Sequence, residues 1–183
     1  MPSAVRRPIA LVGLMGAGKT TVARRLGERL GVDVVDLDAE IERDTGVTVR
    51  QYFEARGEAA FRTHEREALR RGIERGAGVI ACGGGIVLDS EARARLRDEC
   101  RTVWLEVSPG TAAARLRAEA GPRPMLDGAP PLSRLETLLA ERAARYAEVA
   151  SVRVATDGLD PDAVAASVLT ALGEDAARAV RKP

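Results

Sequence analysis

PIALVGLMGAGKTT, Pro8 to Thr21, decides how the rest of the chain is read. The apolar run Ile9, Ala10, Leu11, Val12 reads as a buried strand, and a helical segment begins at about Lys19. Between them, Gly13, Gly18, Lys19 and Thr20 fit G-x-x-x-x-G-K-[ST], the phosphate-binding loop. Glycines let backbone wrap closely around an anion, so that N–H groups point inward and the following helix adds its positive end. Gly13, Gly16, Ala17, Gly18, Lys19, Thr20 and Thr21 are therefore the expected nucleotide cradle. Lys19 would reach the β- and γ-phosphates, and the Thr20 hydroxyl would ligate Mg²⁺. The plainer reading is a glycine turn that caps a helix. Lysine usage argues against it: the chain has two lysines, Lys19 and Lys182, against twenty-six arginines.

The 183 residues suit one domain with a proper core. The 28 basic and 27 acidic residues are interspersed, giving a net charge of +1. That pattern has no basic stripe for nucleic acid, and aromatics at 3% are too few for a base-stacking surface. No apolar run reaches membrane-spanning length, and MPSAVRRP leads into the strand without the features of a signal peptide. Cys82 and Cys100 show neither metal spacing nor a disulfide framework. A cytoplasmic protein with reduced thiols, monomeric and without nucleic-acid or membrane partners, is expected.

Helix-like and strand-like segments alternate, which predicts an α/β domain with a parallel sheet. A helix at 19–30, stopped by Gly31, precedes a short strand Val32–Val35 ending at Asp36-Leu37-Asp38. Helices follow at about 39–45, 48–56 and 58–75, with Thr48 and Gln51 spaced as a capping box. Gly78 to Cys82 reads as a buried strand running into Gly83-Gly84-Gly85. A helix at 90–99, a strand Thr102–Val107 and a helix opened by Ser108-Pro109 come next. EAGPRPMLDGAPP, 119–131, breaks the pattern and is expected to be a functional lid. Ser133 and Glu136 have capping-box spacing for a helix to about Val149; a strand Val152–Ala155 and a helix begun by Asp160-Pro161 complete the domain, 1–173. Residues 174–183 read as a tail.

In such a sheet, ligands bind beyond the carboxyl ends of the strands. The phosphate loop, Asp36 with Asp38, and Gly83 to Gly85 all fall there. Asp38 has two readings, a helix cap or a group that accepts the hydrogen bond of an attacking hydroxyl. Asp36 is the better candidate for the Mg²⁺ shell, because the third strand ends without an acidic residue. The triple glycine is either a tight turn or a place where backbone must approach a ligand. Arg142 lies on the apolar face of its helix with Leu135, Leu138 and Tyr146, and an arginine there needs an anionic partner. Arg62 shares a helix face with Glu65, which would orient it. A structural salt bridge remains the alternative for both arginines. Arg123, inside the lid segment, is either a solvated charge or a cation that swings onto the phosphates on closure. His64, the one histidine, is expected on a solvated helix flank with no role, and Trp104 in the core.

Taken together, GLMGAGKTT, the D-x-D of Asp36 to Asp38, FRTHE at 61–65, GGG at 83–85, RPML at 123–126 and ERAARY at 141–146 resemble the shikimate kinase family over about residues 8–172. The resemblance implies a P-loop NTPase fold of the nucleoside-monophosphate-kinase type, a five-stranded parallel sheet flanked by helices. It implies γ-phosphate transfer from ATP to the 3-hydroxyl of shikimate on the route to chorismate and the aromatic amino acids. By match to the family motifs, Asp38 binds the shikimate hydroxyls, Arg62 and Arg142 clasp its carboxylate, and Gly83, Gly84, Gly85 and Glu65 complete the substrate site between helices at about 39–75 and the sheet. Lys19 and Arg123 would stabilise the transferring phosphoryl group, with Mg²⁺ on Thr20 and indirectly on Asp36. Pro161 would touch adenine, and Arg115 or Arg117 would cover its other face. Cys82 stands where the family commonly has threonine, and Ala155 where aspartate is frequent. The rival readings are another small-molecule kinase such as a gluconate kinase, or a non-catalytic sensor of shikimate or ATP.

Overall fold

The computed structural model describes residues 7–120 and 132–173. Five strands, β1 (Ile9–Val12), β2 (Val34–Asp36), β3 (Val79–Ala81), β4 (Arg101–Glu106) and β5 (Val152–Ala155), form one sheet in the order β2-β3-β1-β4-β5. Every pairing is parallel. Seven α-helices are described: α1 (Lys19–Leu30), α2 (Leu37–Thr45), α3 (Val49–Glu74), α4 (Ser90–Glu99), α5 (Pro109–Ala120), α6 (Leu132–Val149) and α7 (Pro161–Leu172). The fold is therefore the expected α/β arrangement, with helices on both faces.

Alternation along the strands divides the core in two. Ile9 and Leu11 pack with Leu26 of α1, Ala112 of α5 and Val168 of α7, whereas Ala10 and Val12 face Ile41, Leu69, Leu96 and Tyr146 on α2, α3, α4 and α6. A strand buried on both faces reads as a continuous apolar run, which is why β1 has no polar residue. Because all strands run the same way, their carboxyl ends share one edge. The phosphate loop, Asp36 and Gly83 to Gly85 all leave the sheet there.

Local chemistry sets the boundaries. The Thr48–Gln51 capping box forms as expected, and Asp160 accepts from the Ala163 N–H with Pro161 in the first turn of α7. Ser108 Oγ likewise accepts from the Thr111 N–H at the start of α5. Gly57, at φ 78° and ψ 172°, breaks α3 between the two helices expected at 48–56 and 58–75.

Four expectations are corrected. The second strand starts at Val34, because the Val32 N–H donates to the Gly27 carbonyl and is used by the last turn of α1. The second helix starts at Leu37, because Asp36 caps it by accepting from the Asp38 and Ala39 N–H groups. Ser133 is not a cap: α6 begins at Leu132, so Ser133 already lies inside the helix. His64 is half-buried, with its Nδ1 2.8 Å from the Tyr52 hydroxyl, and is not a solvated flank residue. Most of the expected lid, with Arg123, and the tail at 174–183 lie outside the described residues.

Leu26 is fully buried where α1 crosses the sheet. Leu26→Ala should cost about 2–5 kcal/mol of unfolding free energy, the range for a leucine cavity in a packed core. A urea titration with an unchanged midpoint would mean that this layer is loosely packed.

Candidate active site

The phosphate loop is held open by contacts that exclude side chains. Gly13 adopts φ 144°, and a Cβ there would strike the Leu105 carbonyl; one at Gly16, φ 77°, would strike the Ala112 backbone. Gly18, at φ 84°, is the left-handed residue from which α1 starts. Lys19 folds back over the loop, with Nζ donating to the Gly13 and Leu14 carbonyls at 2.9 Å each. Burial pushes its ammonium pKa below the usual range, and the nearby Asp38 carboxylate partly opposes that. The Thr20 hydroxyl donates to Asp36 Oδ2 at 2.6 Å, while Asp36 Oδ1 caps α2. A cleft of about 420 Å³ lies over this loop, lined by Lys19, Thr20, Asp36, Asp38, Cys82 and Gly84 among others.

On another wall, three glycines without a Cβ admit four charged side chains. A Cβ on Gly83 would collide with Glu65 Oε1 and crowd Asp38 Oδ1; one on Gly85 would enter the Arg62 guanidinium. At Gly84 it would press on the Gly13 carbonyl and lie 3.8 Å from an Arg142 nitrogen. None of the three has a positive φ, so close approach is what excludes a side chain here. The Gly84 carbonyl accepts from Arg142 Nη1 at 3.2 Å and from the Tyr146 hydroxyl.

Arg62 and Glu65 form an ion pair at 2.6 Å, with side chains 14% and 1% exposed. Glu58 holds a second edge of Arg62 at 3.2 Å, and the rings of Phe53 and Phe61 lie 6.0 and 5.3 Å from the guanidinium carbon. Among the described residues, two buried side-chain atoms have no hydrogen-bond partner: Glu65 Oε1 and Arg142 Nε. Both belong to this wall, and buried polar atoms without partners are costly unless a ligand completes them. Burial raises the Glu65 pKa to about 7 against the pull of Arg62. Burial also raises Asp38, reinforced by the charge of Asp36 and opposed by Lys19.

The structure thus gathers Gly13, Gly16, Gly18, Lys19, Thr20, Thr21, Asp36, Asp38, Gly83 and Gly84 around one cleft, with Arg62, Glu65, Gly85 and Arg142 on its wall. A second hollow, about 220 Å³, joins Ala17, Gly18 and Thr21 to Arg115, Leu159 and Pro161. Of Arg115 and Arg117, Arg115 borders this hollow, donating to the Gly16 carbonyl and to both oxygens of Thr156. Tyr146 and Phe53 were not among the expected site residues. Tyr146 was legible as a neighbour of Arg142 on one helix face; Phe53 reaches Arg62 only across the break at Gly57, which no periodicity reveals. The donor set beside the loop, a hydroxyl and a carboxylate, suits a hard divalent cation that keeps several waters. Among the described residues no group of three His, Cys, Asp or Glu could cage a metal.

A parallel sheet with a phosphate loop after β1, facing a wall of buried cations, defines a small-molecule kinase of the P-loop fold. The family model described as "Shikimate kinase" matches residues 15–173. A shikimate kinase of Symbiobacterium thermophilum is 44% identical over 167 residues, 91% of this chain and 96% of that one. The solved structure of shikimate kinase from Acinetobacter baumannii in complex with shikimate aligns with a TM-score of 0.82 at 38% identity, covering 90% of this chain and 91% of the other. A gluconokinase from Sinorhizobium meliloti aligns over 95% of each chain with a TM-score of 0.59 at 20% identity, a likeness of fold alone. The chain belongs to the shikimate kinase family.

Glu65 keeps its proton up to about pH 7 when folded but only to about 4.5 when unfolded. Between those values the folded state binds more protons, so this stabilisation is present below 4.5 and lost as pH rises through 7. Relative to Glu65→Gln, the wild-type protein should therefore lose about 3 kcal/mol of stability across that window. Parallel stability–pH curves for the two proteins would show that Glu65 titrates normally.

Proposed function

We propose that this chain is an ATP-dependent shikimate kinase, transferring the γ-phosphate of ATP to the 3-hydroxyl of shikimate to give shikimate 3-phosphate and ADP in aromatic amino acid biosynthesis. The observation that carries the reading is the unsatisfied polar wall. Among the described residues, Glu65 Oε1 and Arg142 Nε are buried without partners, packed beside Gly83 and Gly84, which line the cleft with the phosphate loop. A small ring bearing a carboxylate and hydroxyls supplies what both atoms lack.

The roles proposed are those the family motifs imply, and the geometry is compatible with them. Arg62 and Arg142 take the carboxylate, Glu65 orients Arg62, and the Gly83–Gly85 backbone lets these charged side chains close up beside the cleft. Asp38 accepts the hydrogen bond of the 3-hydroxyl and takes its proton as the oxygen attacks the γ-phosphorus; the bond to the ADP oxygen breaks in the same displacement. Burial raises the Asp38 pKa, which brings it closer to the strength of a useful base. Lys19 would leave the Gly13 and Leu14 carbonyls for the phosphates, and Arg123 is the second cation assigned to the transferring phosphoryl group. Mg²⁺ would be held by Thr20 directly and by Asp36 through water, and when bound it supplies charge neutralisation at the phosphate oxygens. Arg115 and Pro161 border the hollow proposed for adenine. Catalysis on this account is positioning plus charge compensation.

No described helix is long and apolar enough to cross a membrane. A cytoplasmic monomer remains our reading. The gluconate kinase alternative has less support, because the gluconokinase is 20% identical where the shikimate kinases are 38% and 44% identical. A non-catalytic sensor has no use for Asp38 beside the lysine of the phosphate loop.

ADP release with Mg-ATP should be fast with shikimate and near background with quinate, gluconate or no acceptor; equal rates without an acceptor would reject the assignment. Asp38→Asn should keep ATP binding and lose about 10²-fold or more in turnover, the scale of a removed general base. Arg142→Ala should cost about 2–5 kcal/mol of shikimate affinity, as for one partner of a buried charge pair. An unchanged shikimate KM would make Arg142 purely structural.

A further inference from the structure

α3 is two helical arms joined at Gly57, whose φ of 78° and ψ of 172° interrupt the helix. Nothing lies within 4 Å of the place a Cβ would occupy there, so packing at the joint does not set the angle between the arms. The second arm, 58–74, carries Arg62 and Glu65. The first arm, 49–56, is anchored at its start, where Glu42 accepts from the Val49 N–H at 2.9 Å. Val49, Tyr52 and Phe53 also pack against the core on this face of the sheet, and side-chain contacts bridge the break. Phe53 meets Phe61 at 5.3 Å between centroids, and Tyr52 meets the His64 ring edge-on at 5.0 Å. The Tyr52 hydroxyl lies 2.8 Å from His64 Nδ1. Arg62 sits in the resulting corner, its guanidinium over both Phe53 and Phe61.

We propose that Tyr52 and His64 are positioning residues for the acceptor clamp: their hydrogen bond sets the angle across Gly57 and so keeps Phe53 against the Arg62 guanidinium. The apolar wall shields one face of Arg62 from water, which strengthens its pairing with a carboxylate on the other. Neither residue touches the cleft, so neither is a catalytic residue. A neutral ring with its proton on Nε2 accepts from the phenol, and a charged ring donates from Nδ1 to the phenol oxygen.

This inference rests on the shikimate reading of the cleft, and the experiment separates the two. Tyr52→Phe removes one oxygen and keeps the ring, and His64→Leu removes the other partner. Each should raise the shikimate KM about fivefold, the scale of one hydrogen bond, and leave the ATP KM within about twofold. The double variant should be no worse than either single one, and His64→Asn, which retains a partner near the Nδ1 position, should stay close to wild type. Amide exchange in 49–56 should quicken about fivefold in Tyr52→Phe, with no change in α1. An unchanged shikimate KM, an equal rise in both KM values, or unaltered exchange in 49–56 would overturn the proposal. If the wild-type protein does not turn over shikimate, the functional reading falls, and the exchange measurement still decides whether the tie holds the arm.

Discussion

The Arg62–Glu65 pair is buried against backbone that carries no side chains, and the cleft is arranged around that contact. An ion pair so far from water survives only when its remaining hydrogen-bond capacity is met. Glu58 and two aromatic rings satisfy Arg62 on the outer side. On the inner side the three glycines after β3 let the charges approach, and Glu65 Oε1 is left without a partner. Any side chain at Gly83 or Gly85 would occupy the space of a charged group, so the end of β3 and the second arm of α3 constrain each other. Arg142 repeats the arrangement from α6, donating to the Gly84 carbonyl while its buried Nε has no partner among the described residues.

This wall confronts a loop built on the opposite electrostatic plan. The phosphate loop gathers N–H groups and one lysine, and it awaits negative charge. Asp36 and Asp38 separate the two positive regions, and their roles differ by environment. Asp36 is tied to Thr20 and to the first turn of α2, whereas Asp38 is raised in pKa by burial beside it. One carboxylate is thus held by hydrogen bonds to Thr20 and to the first turn of α2, and its neighbour carries a pKa raised by burial. The parallel sheet matters because it delivers all these loops to one edge.

Much of this was legible from the chain. The phosphate loop was readable because its chemistry requires residue types at fixed spacing, here Gly13 to Thr20 directly after β1. Thr48, Ser108 and Asp160 announced helix starts, since capping is a local interaction between residues two or three apart. Ser133 failed by the same rule: α6 begins at Leu132, so its spacing to Glu136 coincides with a cap without being one. Long-range geometry was less legible. The closeness of Gly85 to Arg62, the choice of Arg115 over Arg117, and the meeting of Tyr52 with His64 depend on how elements pack. Burial of Glu65 could be suspected from Arg62, but its unpartnered oxygen depends on the absent Cβ of Gly83.

The most direct test of the whole arrangement is a crystal structure of the protein grown with shikimate and ADP. The ring should lie between the phosphate loop and the triple glycine, its carboxylate on Arg62 and Arg142 and its 3-hydroxyl beside Asp38. Density for the ring elsewhere, with both guanidinium groups still unengaged, would contradict the account.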